Sequence, residues 1–189
     1  CLDNCSICKD HCPTNAISLN PVKIDLGKCI FCPICEESCP ENIIHFTQDY
    51  KLGVSNRNDL LIDNSINNIK PEVASQKILN YFGKSLKLRQ VSAAGCNGCE
   101  LELNALSNVN FDLGRYGIEF VASPRHADGI VITGPISKNM AAATKITYEA
   151  CPNPKIIILY GACAISGGIF QNSNEIDRSF LKEHNIDLF

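Results

Sequence analysis

The stretch GIVITGPISKNMAAATKITYEACPNPKIIILYGAC, residues 129–163, decides the fold. GIVIT (129–133) and KIIILY (155–160) are apolar runs of strand length, each bounded by turn residues. Between them, SKNMAAATKITYEA offers Ser137 as an N-cap and an alanine-rich helical body. Upstream, IEFVA (118–122) is a third strand-length run. Strands alternating with helices predict an α/β domain over residues 88–189, a parallel sheet with helices on its faces. Function in such sheets collects at the carboxyl ends of strands, here Thr133-Gly134-Pro135 and Gly161-Ala162-Cys163.

Thiols stand near that edge. AAGCNGCELEL (93–103) places Cys96 and Cys99 in a glycine-flanked turn leading into a helix, so both thiolates can face one cluster edge. Cys163 follows the KIIILY strand in YGACAISGGIF, where glycines let the backbone approach a bulky group. Three thiolates fall one short of the four that a [4Fe–4S] cubane takes, so a fourth ligand is expected from elsewhere. Cys151, between a helix and the entry to a strand, belongs to the opposite sheet end and reads as a structural thiol. A thioredoxin-like CxxC is disfavoured by Asn97-Gly98 and by the lack of a strand just before the pair. Glu100 is a candidate proton relay beside a redox centre; the plainer reading makes Glu100 and Glu102 partners of the helix dipole. Arg125 and His126 lie in a loop before a strand and read as structural.

Of twelve cysteines, eight lie in the first 39 residues, and they lie in a repeat. CSICKDHCPTNAISL (5–19) superimposes on CPICEESCPENIIHF (32–46) at an offset of 27. The run Cys29, Cys32, Cys35, Cys39-Pro40 is CxxCxxCxxxCP, in which three thiolates wrap one cubane and the fourth reaches its neighbour. By that cross-over rule Cys12, Cys29, Cys32 and Cys35 form one set, leaving Cys5, Cys8 and Cys39 for the other. The repeat would place the remaining ligand at Leu2; the thiol available is Cys1, one residue farther out. If Cys1 does not reach, that cluster is a three-iron form or takes an outside ligand. Residues 1–50 are thus expected to form a small α+β ferredoxin-like domain with two [4Fe–4S] clusters. PVKIDLGKC reads as a strand and turn, with a further short strand after each Cys-Pro pair. Zinc ribbons also use paired CxxC motifs, but they explain neither the CP ending nor the interlocked duplication. A disulfide scaffold does not bunch its cysteines in this way.

Residues 51–87 are expected to be linker and helix. The polar, Asn-rich stretch 47–70 reads as a linker or surface loop. The helix begins with Pro71 at its first position and packs through Ala74, Ile78, Tyr81 and Phe82.

With 189 residues, 45% of them hydrophobic, the chain can bury a genuine core. Its net charge of −3 is uneven: residues 1–50 carry seven acids against three bases. An acidic lobe offers no footprint for nucleic acid and suits a redox partner with a basic face. No apolar run reaches membrane-spanning length, so membrane association is expected through other subunits. The sequence starts at Cys1 instead of Met, as a processed or partial N-terminus does. Thiolate-bound clusters imply a reducing cytoplasm. No Walker, GxGxxG or Ser-His-Asp pattern is present, so no substrate chemistry is expected of the chain itself.

At GCNGCELELNAL, SPRHADGIVITGP and YGACAISGGIF, over about residues 86–189, the sequence closely resembles the small subunit of membrane-bound, energy-converting [NiFe] hydrogenases of the formate hydrogenlyase type. That family is related to the terminal-cluster subunit of respiratory complex I. Complex I members carry adjacent cysteines at the first site, whereas Cys96 and Cys99 stand two residues apart, as in the hydrogenase branch. The resemblance implies a flavodoxin-like fold and a proximal [4Fe–4S] cluster on Cys96, Cys99 and Cys163. It places the fourth ligand in a PGCPP motif following a segment like NIDLF, beyond Phe189. It also implies docking on a large subunit holding the Ni–Fe site, beside other iron–sulfur or membrane subunits, peripherally on the inner face of the membrane. Relatives often carry the ferredoxin module as a separate subunit; fusion would keep its clusters at high effective concentration.

The expected function is electron relay from a low-potential donor, such as ferredoxin or formate dehydrogenase, to the Ni–Fe site. The alternatives are a complex I-like module that passes electrons to a quinone or other acceptor without nickel, and an assembly protein whose clusters are structural.

Overall fold

A computed structural model describes residues 5–63, 69, 80–83 and 85–189. Four parallel strands form its larger sheet: β4 (Leu86–Ser92), β5 (Ile118–Phe120), β6 (Gly129–Thr133) and β7 (Ile156–Tyr160). Their order is β5-β4-β6-β7. The first of these strands therefore lies inside the second and third, which is the doubly wound order with a switch point between β4 and β6.

Alternation along β6 builds both faces, because successive strand side chains point to opposite sides. Ile130 and Ile132 enter one core with Val91, Ile157 and Leu159, and Val131 enters the other with Leu88, Leu103 and Ile156. Ile130, Ile132 and Ile157 are at most 1% exposed, and each contributes on the order of 2 kcal/mol by burial. The first core is closed by α4 (Lys138–Ala150) and α6 (Ser179–Glu183), through Met140, Tyr148 and Phe180. The second is closed by α3 (Gly98–Ala105) through Leu103. Ser137 caps α4 as expected, its side chain accepting from the Met140 amide.

In the N-terminal unit, α1 (Ile7–Asp10) and α2 (Ile34–Glu37) are single turns, and a second sheet runs β1 (Ile17–Ser18), β2 (Lys23–Asp25), β3 (Leu61–Asp63), all antiparallel. The sequence repeat is a backbone repeat. His11 and Ser38 share φ −86° and ψ −8°, and Asn15 and Asn42 are both left-handed at φ 51° and 48°. The strand expected after Cys39-Pro40 is absent. Residues 41–48 form no strand, Ile43 and Phe46 stand exposed, and the free edge of β2 is taken by β3.

Over residues 57–63 the structure also corrects the linker or surface-loop reading of 47–70, while 64–68 and 70 lie outside the described residues. Asn56 caps a short 3₁₀ turn, Arg57–Leu60, by accepting from the Asn58 amide, and Leu60 is buried against Val54, Leu26 and Ile62. Arg57 Nη2 donates to both carboxylate oxygens of Asp25 at 2.7 and 2.8 Å. Most of the helix expected from Pro71 lies outside the described residues, as does Cys1. Phe82 packs against the second core, whereas Tyr81 is 60% exposed and makes no packing face.

The two sheets share a joint. Val54 and Phe189 exchange backbone hydrogen bonds (3.1 and 2.9 Å), Ile165 and Phe189 pack on Val54 and Leu60, and Gln171 Nε2 donates to the Thr14 carbonyl at 3.1 Å.

Candidate functional site

At the carboxyl edge of the sheet, Ala93 leaves β4 fully buried and its carbonyl accepts from the Ile136 amide at 3.0 Å. Gly95 then crosses Gly134 in backbone contact. A Cβ on Gly134, at φ +79°, would fall 2.5 Å from the Gly95 nitrogen, so neither loop could approach the other with a side chain there. This crossing delivers Cys96 to the edge. Asn97, left-handed at φ 70°, turns the chain into α3 and brings Cys99 into its first turn.

The second approach comes from β7. Gly161, at φ +88°, leads into α5 (Ala162–Ser166), which carries Cys163. A Cβ on Gly161 would lie 2.5 Å from Cys99 Sγ, and one on Gly168 2.8 Å from Cys163 Sγ. Glycine at both positions lets the backbone lie directly against the two sulfurs. Burial pushes the Cys99 thiol up, with the Glu100 carboxylate and the Cys163 and Cys96 thiolates adding to it. Burial likewise raises Cys163, with Cys96 adding and Arg178 opposing. Cys99 and Cys163, each raised by burial and by the neighbouring thiols, form with Cys96 a sulfur donor set of the kind that suits an iron–sulfur core.

Glu100 is 5% exposed and stands behind these thiols. Ser92 Oγ and Thr133 Oγ1 both donate to its Oε1 at 2.6 Å, joining α3 to the ends of β4 and β6. Burial works to raise its carboxyl, but the two hydroxyls outweigh burial and hold it below the usual carboxylate range. Glu102 is exposed. Cys151 is a core thiol, 3% exposed, its sulfur donating to the Thr147 carbonyl at 3.5 Å. Arg125 and His126 lie exposed in a 3₁₀ turn, Pro124–His126, ahead of β6.

In the N-terminal unit the thiols fall into two groups. Cys12, Cys29, Cys32 and Cys35 line a cavity of about 440 Å³, and Cys5, Cys8 and Cys39 line a small one of about 10 Å³. The electrostatics divide likewise. Burial raises Cys8, with Cys39 and Cys5 adding; burial raises Cys29, with Cys35, Cys12 and Cys32 adding.

Cys12 and Cys39 differ from the others. The Ala16 amide donates to Cys12 Sγ at 3.2 Å and the Ile43 amide to Cys39 Sγ at 3.5 Å, again 27 residues apart. Burial pushes Cys12 up, but these and neighbouring amides, with the Thr14 hydroxyl, bring it below the usual thiol range; at Cys39 the Ile43 amide does so first. Amide donation favours the thiolate, the ligating form. All eleven described cysteines are free, and among the described residues no three His, Cys, Asp or Glu side chains gather as around a single metal ion.

Comparison with known proteins follows the same division. Residues 96–188 match the model of the family described as NADH ubiquinone oxidoreductase, 20 Kd subunit. The α/β part of the chain belongs to this family. The match begins at Cys96 and takes in Cys99 and Cys163. Three curated relatives are similar over this region. The probable membrane-bound hydrogenase subunit mbhJ of Pyrococcus furiosus is 37% identical, covering 51% of this chain and 58% of that one. Formate hydrogenlyase subunit 7 of Escherichia coli is 41% identical, covering 55% and 42%. An NADH-quinone oxidoreductase subunit of Citrifermentans bemidjiense is 47% identical, covering 49% and 54%. The chain spans about half the length of the curated relatives it matches. No helix among the described residues is long and apolar enough to cross a membrane.

Sequence reasoning missed Ser92, Thr133 as a hydrogen-bond donor, and Arg178, whose guanidinium meets the carbonyls of the Cys163 segment. Thr133 and Arg178 act across 33 and 15 residues, and Ser92 meets Glu100 only through the turn that joins β4 to α3; local spacing carries no signal for such contacts.

Proposed function

We propose that this chain is an electron-transfer subunit of a multi-subunit oxidoreductase, of the membrane-bound [NiFe] hydrogenase type. The observation that carries the reading is the gathering of Cys96, Cys99 and Cys163 at the carboxyl edge of the sheet, where glycines lie against the sulfurs of Cys99 and Cys163, inside the region that matches the family. These residues would hold one [4Fe–4S] cluster. Cys12, Cys29, Cys32 and Cys35 would hold a second, and Cys5, Cys8 and Cys39, with Cys1, a third. When bound, each cluster takes up and gives back one electron.

The residues around them do the rest. Gly95 and Gly134 let the loops cross closely enough to present Cys96. Amides at Ala16 and Ile43 stabilise thiolates, and Glu100 fastens the Cys99 helix to two strands. The joint through Gln171 and Phe189 keeps the N-terminal thiols and the Cys163 helix in one covalent and packed unit. Electrons would enter from a low-potential donor docked on the acidic N-terminal unit. They would leave to a large subunit with a Ni–Fe site, the assembly sitting peripherally on the inner membrane face through partner subunits.

One observation favours a second reading: the identity of 47% with the NADH-quinone oxidoreductase relative exceeds that with either hydrogenase relative. In that case electrons pass to a quinone or other acceptor without nickel.

Purifying the native complex through this chain under anaerobic conditions separates the two. Nickel together with hydrogen evolution from a reduced low-potential dye is the expected result; iron without nickel or hydrogen moves the assignment to the quinone type. Within the complex, Cys96→Ser is expected to abolish turnover and leave the N-terminal centres intact. Retained turnover contradicts the role given to this site.

A further inference from the structure

Arg178 precedes α6 and reaches back across the sheet edge to the segment that carries Cys163. Its Nη1 donates to the Cys163 carbonyl at 3.1 Å and to the Pro135 carbonyl at 3.5 Å. Its Nη2 donates to the carbonyls of Ala164 at 2.8 Å and Ile165 at 3.0 Å. Three of these acceptors belong to the five-residue helix α5. The last carbonyls of a helix have no partner within it, and a planar fork of donors suits several oxygens at once as an ammonium does not. The fourth acceptor belongs to the loop after β6, so one side chain ties together the loops after β6 and β7, the second of which bears a thiol of the centre.

Charge adds to the clasp. Among the described residues no carboxylate lies within ion-pair distance of Arg178, and the guanidinium is partly buried. The bond from Nη1 to the Cys163 carbonyl brings this charge to the residue that bears the thiol; in keeping with that, burial lowers the Arg178 pKa and Cys163 opposes the shift. An arginine placed only to cap a helix is satisfied by carbonyls. This one is satisfied by carbonyls and also brings an uncompensated charge to the segment that bears a thiol of the site.

Resting on the reading of Cys96, Cys99 and Cys163 as ligands, we propose that Arg178 is a positioning residue that fixes the Cys163 helix by its four carbonyl bonds and sets the reduction potential of the centre by its fixed positive charge. The reduced centre carries one more negative charge than the oxidised one, so a nearby cation favours reduction and its loss makes the potential more negative.

The test is a redox titration of the native complex followed by electron paramagnetic resonance. The signal read is the one that disappears in Cys96→Ser. In Arg178→Met its midpoint is expected to move to more negative potential, while the N-terminal signals stay at their wild-type midpoints. Arg178→Lys, which keeps the charge but not the fork, is expected to stay near the wild-type midpoint with an altered line shape. A loaded centre at the wild-type midpoint in Arg178→Met overturns the proposal. Should that variant fail to assemble the centre, Arg178→Gln keeps two donors and drops the charge. A negative shift there supports the proposal, and a wild-type midpoint overturns it. If neither neutral variant assembles the centre, assembly in Arg178→Lys supports the need for a cation, and failure of all three overturns it in favour of a purely structural clasp. Absence of any Cys96-dependent signal in the wild-type complex is the one outcome that strikes the cluster reading as well.

Discussion

Gly161 shows how much of the site depends on single residues. Its φ of +88° disfavours any side chain, and a Cβ there would press on Cys99 Sγ. Gly161→Ala is expected to cost about 1–3 kcal/mol in backbone strain and overpacking. Iron analysis should show loss of the centre held by Cys96, Cys99 and Cys163, with the N-terminal centres retained. Glu100 makes a different prediction, because its role in this geometry is to accept. Glu100→Ala leaves the Ser92 and Thr133 hydroxyls without their carboxylate, and lost bonds to a charged group cost about 1.5–3 kcal/mol each. Denaturant unfolding of the full chain should therefore show a drop of a few kcal/mol, with Glu100→Gln, which keeps an acceptor oxygen, falling in between; unchanged stability in Glu100→Ala contradicts the fastening role. At this scale the thiols were legible in the sequence, since their spacing is their chemistry. The partners that orient them were not. Thr133 was visible as a residue at a strand end, but only the β4–β6 register, with Ser92 opposite Thr133, shows that both hydroxyls meet one carboxylate.

Among the elements, the strands that decided the reading formed nearly as expected. GIVIT is β6 residue for residue, KIIILY supplies β7 from Ile156, and IEFVA shortens to Ile118–Phe120 at the sheet edge. Continuous apolar runs between turn residues are what buried parallel strands require, and that signal is local. The linker reading failed for the opposite reason. Leu60 and Ile62 are isolated apolar residues in a polar stretch, and what recruits them is the open edge of β2, which lies in another part of the chain. Arg57 locks that arrangement. Arg57→Leu would leave Asp25 half-buried without its cation and is expected to cost about 1–3 kcal/mol, measured by thermal unfolding against wild type; no loss would mean that β3 is held by its ladder and Leu60 alone.

For the whole molecule, the relation between its two units matters most. Val54, Ile165 and Phe189 make a shared apolar joint, and Gln171 bonds to the loop that follows Cys12. Nothing in the composition or periodicity of either half announced this contact, because each half reads as a complete pattern by itself. The cross-over grouping of cysteines, by contrast, follows from the repeat, and the structure brings Cys12 beside Cys29, Cys32 and Cys35 and brings Cys39 beside Cys5 and Cys8. The central claim is that these groups and the Cys96 site are three separate iron–sulfur centres of one electron-transfer subunit. The most direct test is iron and acid-labile sulfide analysis with electron paramagnetic resonance on the anaerobically purified full chain, for wild type and for Cys12→Ser, Cys39→Ser and Cys96→Ser. The account predicts about twelve irons in the wild type, four to a cubane, and three variants that each remove or alter a different signal and leave the other two. Zinc in place of iron, or variants that disturb all signals together, would contradict it.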